Sequence, residues 1–524
     1  MAANDATTNQ GTPPVVNQAK PSIIFPDAAS AKRLSDYQYF EQLFDGDHYE
    51  AFKLRVANDE YNKAYSKLRY VMVNFAGMIS KICADFLFSE KLTIKMPTEG
   101  DQAFAQALWD ENNLDIQAYE SALSNSYNGD TVFKVRLGKR HPNNPKPTII
   151  IEEITPRIYF PVLDPFNMRA EPLKKELAWI FNVGNDRYLR KEIHEPGYIY
   201  NKVFSMKSNN EVGDEVALDI LGIANMKPVE ETGIEESLVI HIPNWKKGNK
   251  WNGISDYYDL DSLFFAVNNR MTKIDNVLDK HTDPILMVPP GVLDENGKVK
   301  KKALGVIEIG EGESGKPEYI VWDASLENAF KEIEKLVEFL YMVGEVSPDV
   351  LGLGTGVSDS GRALKFKLMR TIAKVARKKL YYYVGLRQAL YVAQLMAKAH
   401  NVEVGGKTIT KAPIKPDLKF ADGLPIDDKE LIEVETMALD AGITSKKDSI
   451  MRVYGVDEKT ADQRLQEIED EKPAIELPSS NIAGNPFNKS QPGNMGKGMG
   501  QNMNKNMNGK APGNKMGGKN GGNK

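Results

Sequence analysis

Apolar residues recur every three or four positions along several stretches of the chain, which is typical of helices with one buried face. The clearest stretch covers residues 60–89, where Phe75 and Ile82 are two of eight apolar residues on that face. Residues 91–96 then alternate between apolar and polar side chains, and residues 101–127 return to the helical period. We therefore predict helices on either side of one short strand.

Short segments rich in β-branched and aromatic residues follow, separated by proline, glycine and asparagine. They predict strands at residues 131–137, 148–154, 157–162, 177–183, 188–193, 198–204 and 237–242. Because no helical pattern lies between these strands, we expect them to pair antiparallel. The first half of the chain is therefore predicted to be α+β.

Two segments in the middle of the chain carry apolar residues at alternating steps of four and three. The first is predicted to be a helix over residues 256–281 with Ser255 as its N-cap, and the second to begin near Ser325 and end near Gly344. Their stripes are Leu260, Phe264, Val267, Met271, Ile274 and Leu278, and then Leu326, Phe330, Ile333, Val337 and Leu340. The insertion of about 40 residues between them, a strand-and-turn module, lets the helices run side by side as an antiparallel hairpin.

A glycine-rich segment, residues 346–361, leads into a predicted long helix over residues 360–400. This helix has an apolar stripe, Leu364, Leu368, Ile372 and Val375. A basic stripe lies beside it and consists of Lys367, Arg370, Lys374, Arg377 and Lys378. The pattern leaves three interpretations open: a solvated helix face, ion pairs with a neighbouring subunit, or contacts with DNA phosphates.

The ends of the chain have different compositions. Residues 1–35 are predicted to be a disordered arm, and residues 473–524, rich in Gly, Asn, Lys and Met, to be a disordered tail. Before the tail, a strand pair is predicted around Gly405-Gly406 and two or three short helices between residues 427 and 471.

Composition excludes several classes of protein. The single cysteine, Cys83, rules out a disulfide framework within the chain and any zinc site that needs several cysteines. We expect neither a signal peptide nor association with a membrane, since no apolar run approaches about 18 residues. The net charge of −5 becomes about −12 without the seven lysines of residues 485–524. An acidic body suits a surface that DNA slides past better than one that DNA wraps.

Candidate catalytic motifs are incomplete. Residues 310–317 approach a phosphate-binding loop, but Pro317 replaces the hydroxyl residue and the loop leads into a predicted strand. Gly352, Gly354 and Gly356 follow a helical pattern, whereas a dinucleotide fingerprint follows a strand. The pair Asp256 and Asp259 is interpreted as helix surface. We therefore predict no catalytic residues, no cofactor and no metal site.

Three motifs in a fixed order resemble one family. They are Gly253-Ile-Ser-Asp-Tyr-Tyr-Asp-Leu-Asp-Ser-Leu263, Thr282-Asp-Pro-Ile-Leu286, and Ser358-Asp-Ser-Gly-Arg-Ala-Leu-Lys365 preceded by Pro348-Asp349. Residues 91–471 resemble the portal proteins of tailed double-stranded DNA bacteriophages, in particular siphophage-type portals of about this length. The resemblance implies an α+β portal architecture with a wing, a two-helix stem, a small α/β clip, a tunnel loop and a helical crown, assembled as a ring.

The resemblance also implies how the chain is divided. The expected parts are an arm (1–35), wing (36–252), first stem helix (253–282), clip (283–324), second stem helix (325–345), tunnel loop (346–360), wing helix with a strand pair (361–423), crown (424–472) and tail (473–524). Residues 253–400 would thus build a DNA conduit, and not an active site.

Function and partners follow from the resemblance as expectations. About twelve copies would form a ring at one capsid vertex, nucleate procapsid assembly, pass DNA during packaging and ejection, and dock terminase and then a head–tail adaptor. Scaffolding and major capsid proteins would be further partners, first in the host cytoplasm and then in the virion. The DNA-facing tunnel loop would be Leu351, Gly352, Leu353, Gly354, Thr355, Gly356 and Val357. The clip docking surface would include Pro289, Pro290, Gly291, Glu311, Glu313 and Lys316. The alternatives are a head protein without a channel and a nucleotide-dependent DNA-processing enzyme.

Overall fold

A computed structural model describes most of the chain. It covers residues 23–56, 69–140, 146–223, 226–282, 285–287, 318–320, 326–352, 361–409, 411–421, 423 and 428–471. Compact packing divides the chain into two units, residues 1–431 and 432–524.

The described helices lie mainly outside the strand-rich region. They are α1 (Ala28–Asp45), α2 (His48–Val56), α3 (Phe75–Phe88), α4 (Glu99–Glu111), α5 (Leu114–Asn128), α6 (Asp261–Thr282), α7 (Leu326–Gly344), α8 (Gly361–Lys367), α9 (Met369–Ala399), α10 (Asp428–Asp440), α11 (Lys446–Tyr454) and α12 (Glu458–Asp470).

The described strands are mostly consecutive in sequence. They are β1 (Thr93–Lys95), β2 (Asp130–Gly138), β3 (Thr148–Ile154), β4 (Tyr159–Val162), β5 (Lys174–Val183), β6 (Asp186–Glu195), β7 (Tyr198–Met206), β8 (Val212–Val216), β9 (Val229–Glu231), β10 (Val239–Pro243), β11 (Ile285–Met287), β12 (Glu318–Ile320) and β13 (Asp417–Lys419).

These strands form antiparallel sheets, as the sequence predicts. One sheet has the order β10-β2-β3, and a larger sheet has the order β4-β5-β6-β7-β8 with β9 also paired to β7. Two short pairs, β1-β13 and β11-β12, complete the described pairing. The α+β class is therefore confirmed, and every strand predicted between residues 131 and 242 is present, although β8 and β9 were not predicted.

The main core lies where the β10-β2-β3 sheet packs against helices α5 and α9. Phe133 and Ile149 from the sheet are fully buried, and Leu386 on α9 is 2% exposed. Gly385 lets α9 approach the sheet, since a Cβ there would lie 2.3 Å from Ile242 Cγ1. Cys83 is fully buried within α3, where it is part of the core.

The predicted helix over residues 60–89 is wrong for residues 69–74, which are irregular, and α3 begins only at Phe75. The backbone N–H groups of Val71 and Val73 donate to Thr272 Oγ1 and Asn268 Oδ1 on α6, at 3.0 and 2.9 Å. Tertiary hydrogen bonds thus replace the intrahelical ones, and Asn74 caps α3 through Gly77 N.

Four other predictions change. Helix α6 begins at Asp261 and not at residue 256, because Ser255 starts a separate turn in which its hydroxyl accepts from Tyr257 N. The long helix is interrupted at Leu368, between α8 and α9. Residues 28–35 of the predicted arm belong to α1, where Asp27 accepts from the N–H groups of Ala29 and Ser30. The strand pair predicted around Gly405-Gly406 is one bridge between Val404 and Lys407.

The second unit contains most of α10 and all of α11 and α12, the helices predicted near the C-terminal end. Within residues 432–471, Glu435 accepts from the Ser449 hydroxyl at 2.8 Å and from the Arg452 guanidinium at 2.6 Å. Helices α11 and α12 pack against each other, with Lys447 bridging Glu458 and Asp462.

Glu192, on β6 of the large sheet, makes the free energy of unfolding depend on pH. Burial alone would raise its pKa, but a hydrogen bond from His194 and the charge of Lys134 lower the pKa to about 2. Because the pKa is depressed by folding, this stabilisation is complete above about pH 4.3 and is lost as the pH falls toward 2.

We therefore expect Glu192→Gln to lower the free energy of unfolding by about 2 kcal/mol at pH 7. The difference from wild type should shrink between about pH 4 and pH 2. Denaturant unfolding at several pH values measures it, with the exposed Glu215→Gln, which removes the Lys202 pair, as the control. A difference independent of pH would contradict this assignment.

Candidate functional site

Helices α6 and α7 form an antiparallel hairpin. At one end Gly344 packs on Leu260, since a Cβ at Gly344 would lie 3.5 Å from Leu260 Cδ1. Ten residues after Leu260, Arg270 on α6 places its Nε 2.9 Å from Glu332 Oε1 on α7. Beyond the helices, β11 and β12 pair antiparallel with Ile285 opposite Ile320. With 1.5 Å per residue, the 22 residues of α6 extend the hairpin by about 33 Å from its root.

A buried carboxylate fixes the root of the hairpin. Asp256 lies in the turn before α6, where its Oδ2 accepts from Lys378 Nζ at 2.7 Å and from Ser126 Oγ at 2.6 Å. Lys374 Nζ is 3.4 Å from Asp256 Oδ1, and Asn244 Nδ2 donates to the same oxygen at 3.1 Å. Burial alone would raise the pKa of Asp256, but the charges of Lys374 and Lys378 hold the pKa well below its usual range.

The glycine-rich segment follows α7, and the residues where it begins make a second set of contacts with α9. Gly344 O accepts from Lys374 Nζ at 2.9 Å, and Ser347 N donates to the buried Thr371 Oγ1 at 2.8 Å. Between them, Glu345 has a φ of 55°, a left-handed conformation that is uncommon for a residue with a side chain. Its carboxylate accepts from Arg370 at 2.6 Å and also from Arg377. These contacts join the root of the segment to the long helix.

The basic stripe therefore separates into two groups. Lys374 and Lys378 are 8% and 4% exposed and are paired with Asp256 within the chain, an arrangement that none of the three interpretations of the stripe included. Burial without a carboxylate would be too costly for their charges. Arg370 and Arg377 are exposed and share Glu345, and Lys367 lies 3.5 Å from Asp349. For these three residues, contacts with DNA or another subunit stay a prediction.

Sequence reasoning also misplaced Asp256. Its side chain is 3% exposed, and it is not part of the helix surface together with Asp259. The available signal was the position of Lys374 beside Val375 on the helix, which places an ammonium group near the buried face and requires an acid.

Only part of the predicted tunnel loop lies among the described residues. Pro348–Leu351 form a turn of 3-10 helix capped by Ser347, and Gly352 ends it with a φ of 70°. Residues 353–357 of the predicted loop lie outside the described residues. The same holds for the predicted clip surface, Pro289, Pro290, Gly291, Glu311, Glu313 and Lys316.

A cleft of about 710 Å³ opens beside these contacts. Its walls carry the basic residues Lys246, Arg370, Lys374, Arg377 and Lys378 and the acidic residues Asp256, Asp259 and Glu345. Apolar side chains from α7 and α9 complete it: Met342, Val343, Leu380 and Tyr381, with Trp245 from the loop after β10. Five basic and three acidic groups make the cleft favourable for an additional carboxylate.

Among the residues that the structure describes, no group of three or more His, Cys, Asp or Glu could hold a metal ion. Of the helices within the described ranges, none is both long and apolar enough to span a bilayer.

Comparison with known proteins gives one extensive match. The family model described as "Phage portal protein, SPP1 Gp6-like" matches residues 26–476. No curated protein matches the chain. Among solved structures, the chain is similar to one from "Virion of native gene transfer agent (GTA) particle", at 10% identity over 72% of this chain and 89% of that one, with a TM-score of 0.38. It is also similar to one from "Neck of empty GTA particle computed with C6 symmetry", at 12% identity over 72% and 90%, with a TM-score of 0.38.

Proposed function

Since the chain belongs to the SPP1 Gp6-like family of phage portal proteins, we propose that it is one subunit of a ring that conducts DNA through a capsid vertex. About twelve copies would assemble around the channel. The ring would nucleate procapsid assembly, hold the terminase large subunit during packaging, and later dock the head–tail adaptor. Its role would be structural, and ATP would be hydrolysed by the terminase.

The observation that carries this proposal is the α6–α7 hairpin and the way its root is held. The hairpin is anchored to the α+β body at both of its ends near the root. Asp256 anchors the start of α6, and Gly344–Ser347 anchor the end of α7. Identical hairpins arranged around an axis form the wall of a tube. The glycine-rich segment leaves from this root, so it would reach the lumen as a tunnel loop.

The resemblance to portal proteins also suggests roles for the other parts of the chain. Residues 36–252 and 361–423 would form the wing, and residues 253–282 and 325–345 the stem. Residues 283–324 would form the clip, residues 346–360 the tunnel loop, and residues 424–472 the crown. The clip would present the docking surface for terminase and the adaptor, and the scaffolding and major capsid proteins would surround the wing.

Imaging and mass measurement of the purified chain test the proposal. Subunits of 58.5 kDa are expected to form closed rings of about 700 kDa with a central hole. A stable monomer would contradict it, and a monomer with ATPase activity would favour the enzyme alternative. A closed particle without a central hole would favour a head protein without a channel.

Deletion of residues 351–357 tests the tunnel loop separately. We expect rings to form normally, because the contacts of Gly344, Glu345 and Ser347 with α9 remain, while DNA packaging is strongly impaired. Ring formation by imaging serves as the control for folding. Loss of the rings would show instead that the segment is structural, and normal packaging would remove its assigned role.

A further inference from the structure

Helices α8 and α9 expose large apolar side chains along one side. Phe366, Met369, Leu380 and Val384 are 66%, 58%, 69% and 67% exposed. Their separations of 3, 11 and 4 residues place them on one face, over about 27 Å. We call this set the apolar stripe. Exposed large apolar side chains spaced along this length indicate a surface that another macromolecule covers.

The stripe continues into the cleft, whose lining Leu380 shares with Met342 and Val343 from α7. Met342 is 70% exposed, so the apolar surface is not closed within the chain. Arg370 and Arg377 border this surface and share the single carboxylate of Glu345. A partner that fits must therefore be apolar and must bring at least one further carboxylate.

The chemistry favours a protein partner over DNA. DNA presents phosphates, which Arg370 and Arg377 beside the stripe could bind, but the exposed apolar side chains of the stripe contribute nothing to phosphate binding. A protein helix, by contrast, can present apolar side chains and a carboxylate on the same face. The proposed ring supplies such a partner, because each copy in a closed ring must present two different faces to its neighbours.

Helix α7 has a second face of this kind. Phe330 is 45% exposed, and Glu334 lies one turn from it. Among the described residues, Glu334 is the one glutamate of α7 without an ion pair, since Glu327, Glu332 and Glu338 are paired with Lys331, Arg270 and Lys335. Glu334 and Val343 are nine residues apart, which at 3.6 residues per turn places them on opposite sides of α7.

We infer that the apolar stripe and the cleft beside it receive the Phe330–Glu334 side of α7 from the neighbouring copy in the ring. Phe330 covers the exposed apolar side chains, and Glu334 provides the additional carboxylate for Arg370 and Arg377. The inference rests on the ring proposed above, and it assigns the two different faces that such a ring needs.

Thiol labelling tests whether the stripe is covered. The natural cysteine, Cys83, is fully buried, so Leu380→Cys introduces the reactive thiol. In purified rings, with no other protein or DNA present, we expect a maleimide to react with it at least about tenfold more slowly than with the control Asn209→Cys. Asn209 lies in the exposed turn between β7 and β8.

Equal labelling of the two thiols in intact rings would overturn the inference and leave the ring itself established. Protection that appears only after DNA is added would also overturn it, by assigning the stripe to DNA. Failure of the wild-type chain to form any ring would instead contradict the proposed function. The two failures are therefore distinguishable.

A charge exchange tests the partner face. Arg377→Glu and Glu334→Arg are each expected to raise the protein concentration needed for rings about tenfold, and the double variant to restore it. Arg377→Glu also removes the pair with Glu345, so Lys207→Glu, which reverses the charge in another exposed pair within the chain, is the control for that loss in the thermal stability of the monomer. A double variant that assembles no better than the single variants would exclude the Glu334 side of α7 as the partner face.

Discussion

Asp256→Asn should lower the free energy of unfolding by about 3–5 kcal/mol, the cost of removing one partner from a buried ion pair. Asparagine has nearly the same shape as aspartate, so the change removes charge and leaves the packing in place. Lys374 and Lys378 would then be buried without a carboxylate. Among the described residues, Asp256 is the one acidic residue within 4.0 Å of either ammonium group. Denaturant unfolding at pH 7 measures the loss.

A matched control is Glu327→Gln, which removes the exposed pair with Lys331 and should cost about 1 kcal/mol or less. The pH dependence of the free energy of unfolding provides a second test of the buried ion pair. The pKa of Asp256 is depressed by folding, so its stabilisation is complete above about pH 4 and decreases as the pH falls further. The difference between wild type and Asp256→Asn should therefore shrink in acid. A loss at pH 7 no larger than that of the control would contradict the buried network.

The same network shows where sequence reasoning succeeds and where it ends. Apolar periodicity predicted strand β3 at residues 148–154 and the end of α7 at Gly344, because local spacing decides which face an element buries. Asp256 was assigned to the surface, since its partners on α9 are more than 110 residues away. Periodicity contains no information about which distant element supplies the counter-charge.

Residues 69–74 illustrate the same limit for the backbone. Their apolar spacing favours a helix, yet Val71 and Val73 hydrogen-bond to side chains of α6, about 200 positions further along the chain. Tertiary contacts override local propensity wherever a distant side chain can satisfy the backbone. The candidate site could be located from the sequence to within one segment, the root of the glycine-rich loop. The division of its basic stripe into buried and exposed groups depended on contacts between elements.

The second large effect is expected at Gly253, in the loop that precedes Asp256. A Cβ there would lie 1.9 Å from the carbonyl oxygen of Gly129 and 2.8 Å from the backbone nitrogen of Asn244. Neither atom is free to move: Asn244 N donates to Gly129 O at 2.8 Å, and Gly253 N donates to the buried Asp130 Oδ1 at 2.7 Å.

We therefore expect Gly253→Ala to lower the free energy of unfolding by about 3 kcal/mol or more, since the backbone itself must shift to admit one methyl group. Gly100→Ala is the matched control, because a Cβ at Gly100 meets nothing within 4 Å and lies in α4, where alanine is favoured by up to about 1 kcal/mol. Thermal and denaturant unfolding of both variants measure the contrast. Because this loop leads directly into the turn that holds Asp256, the shift should also weaken the hairpin root, and ring assembly by Gly253→Ala should fall together with its stability. A Gly253→Ala protein as stable as Gly100→Ala would show that the two backbone segments are not held in contact.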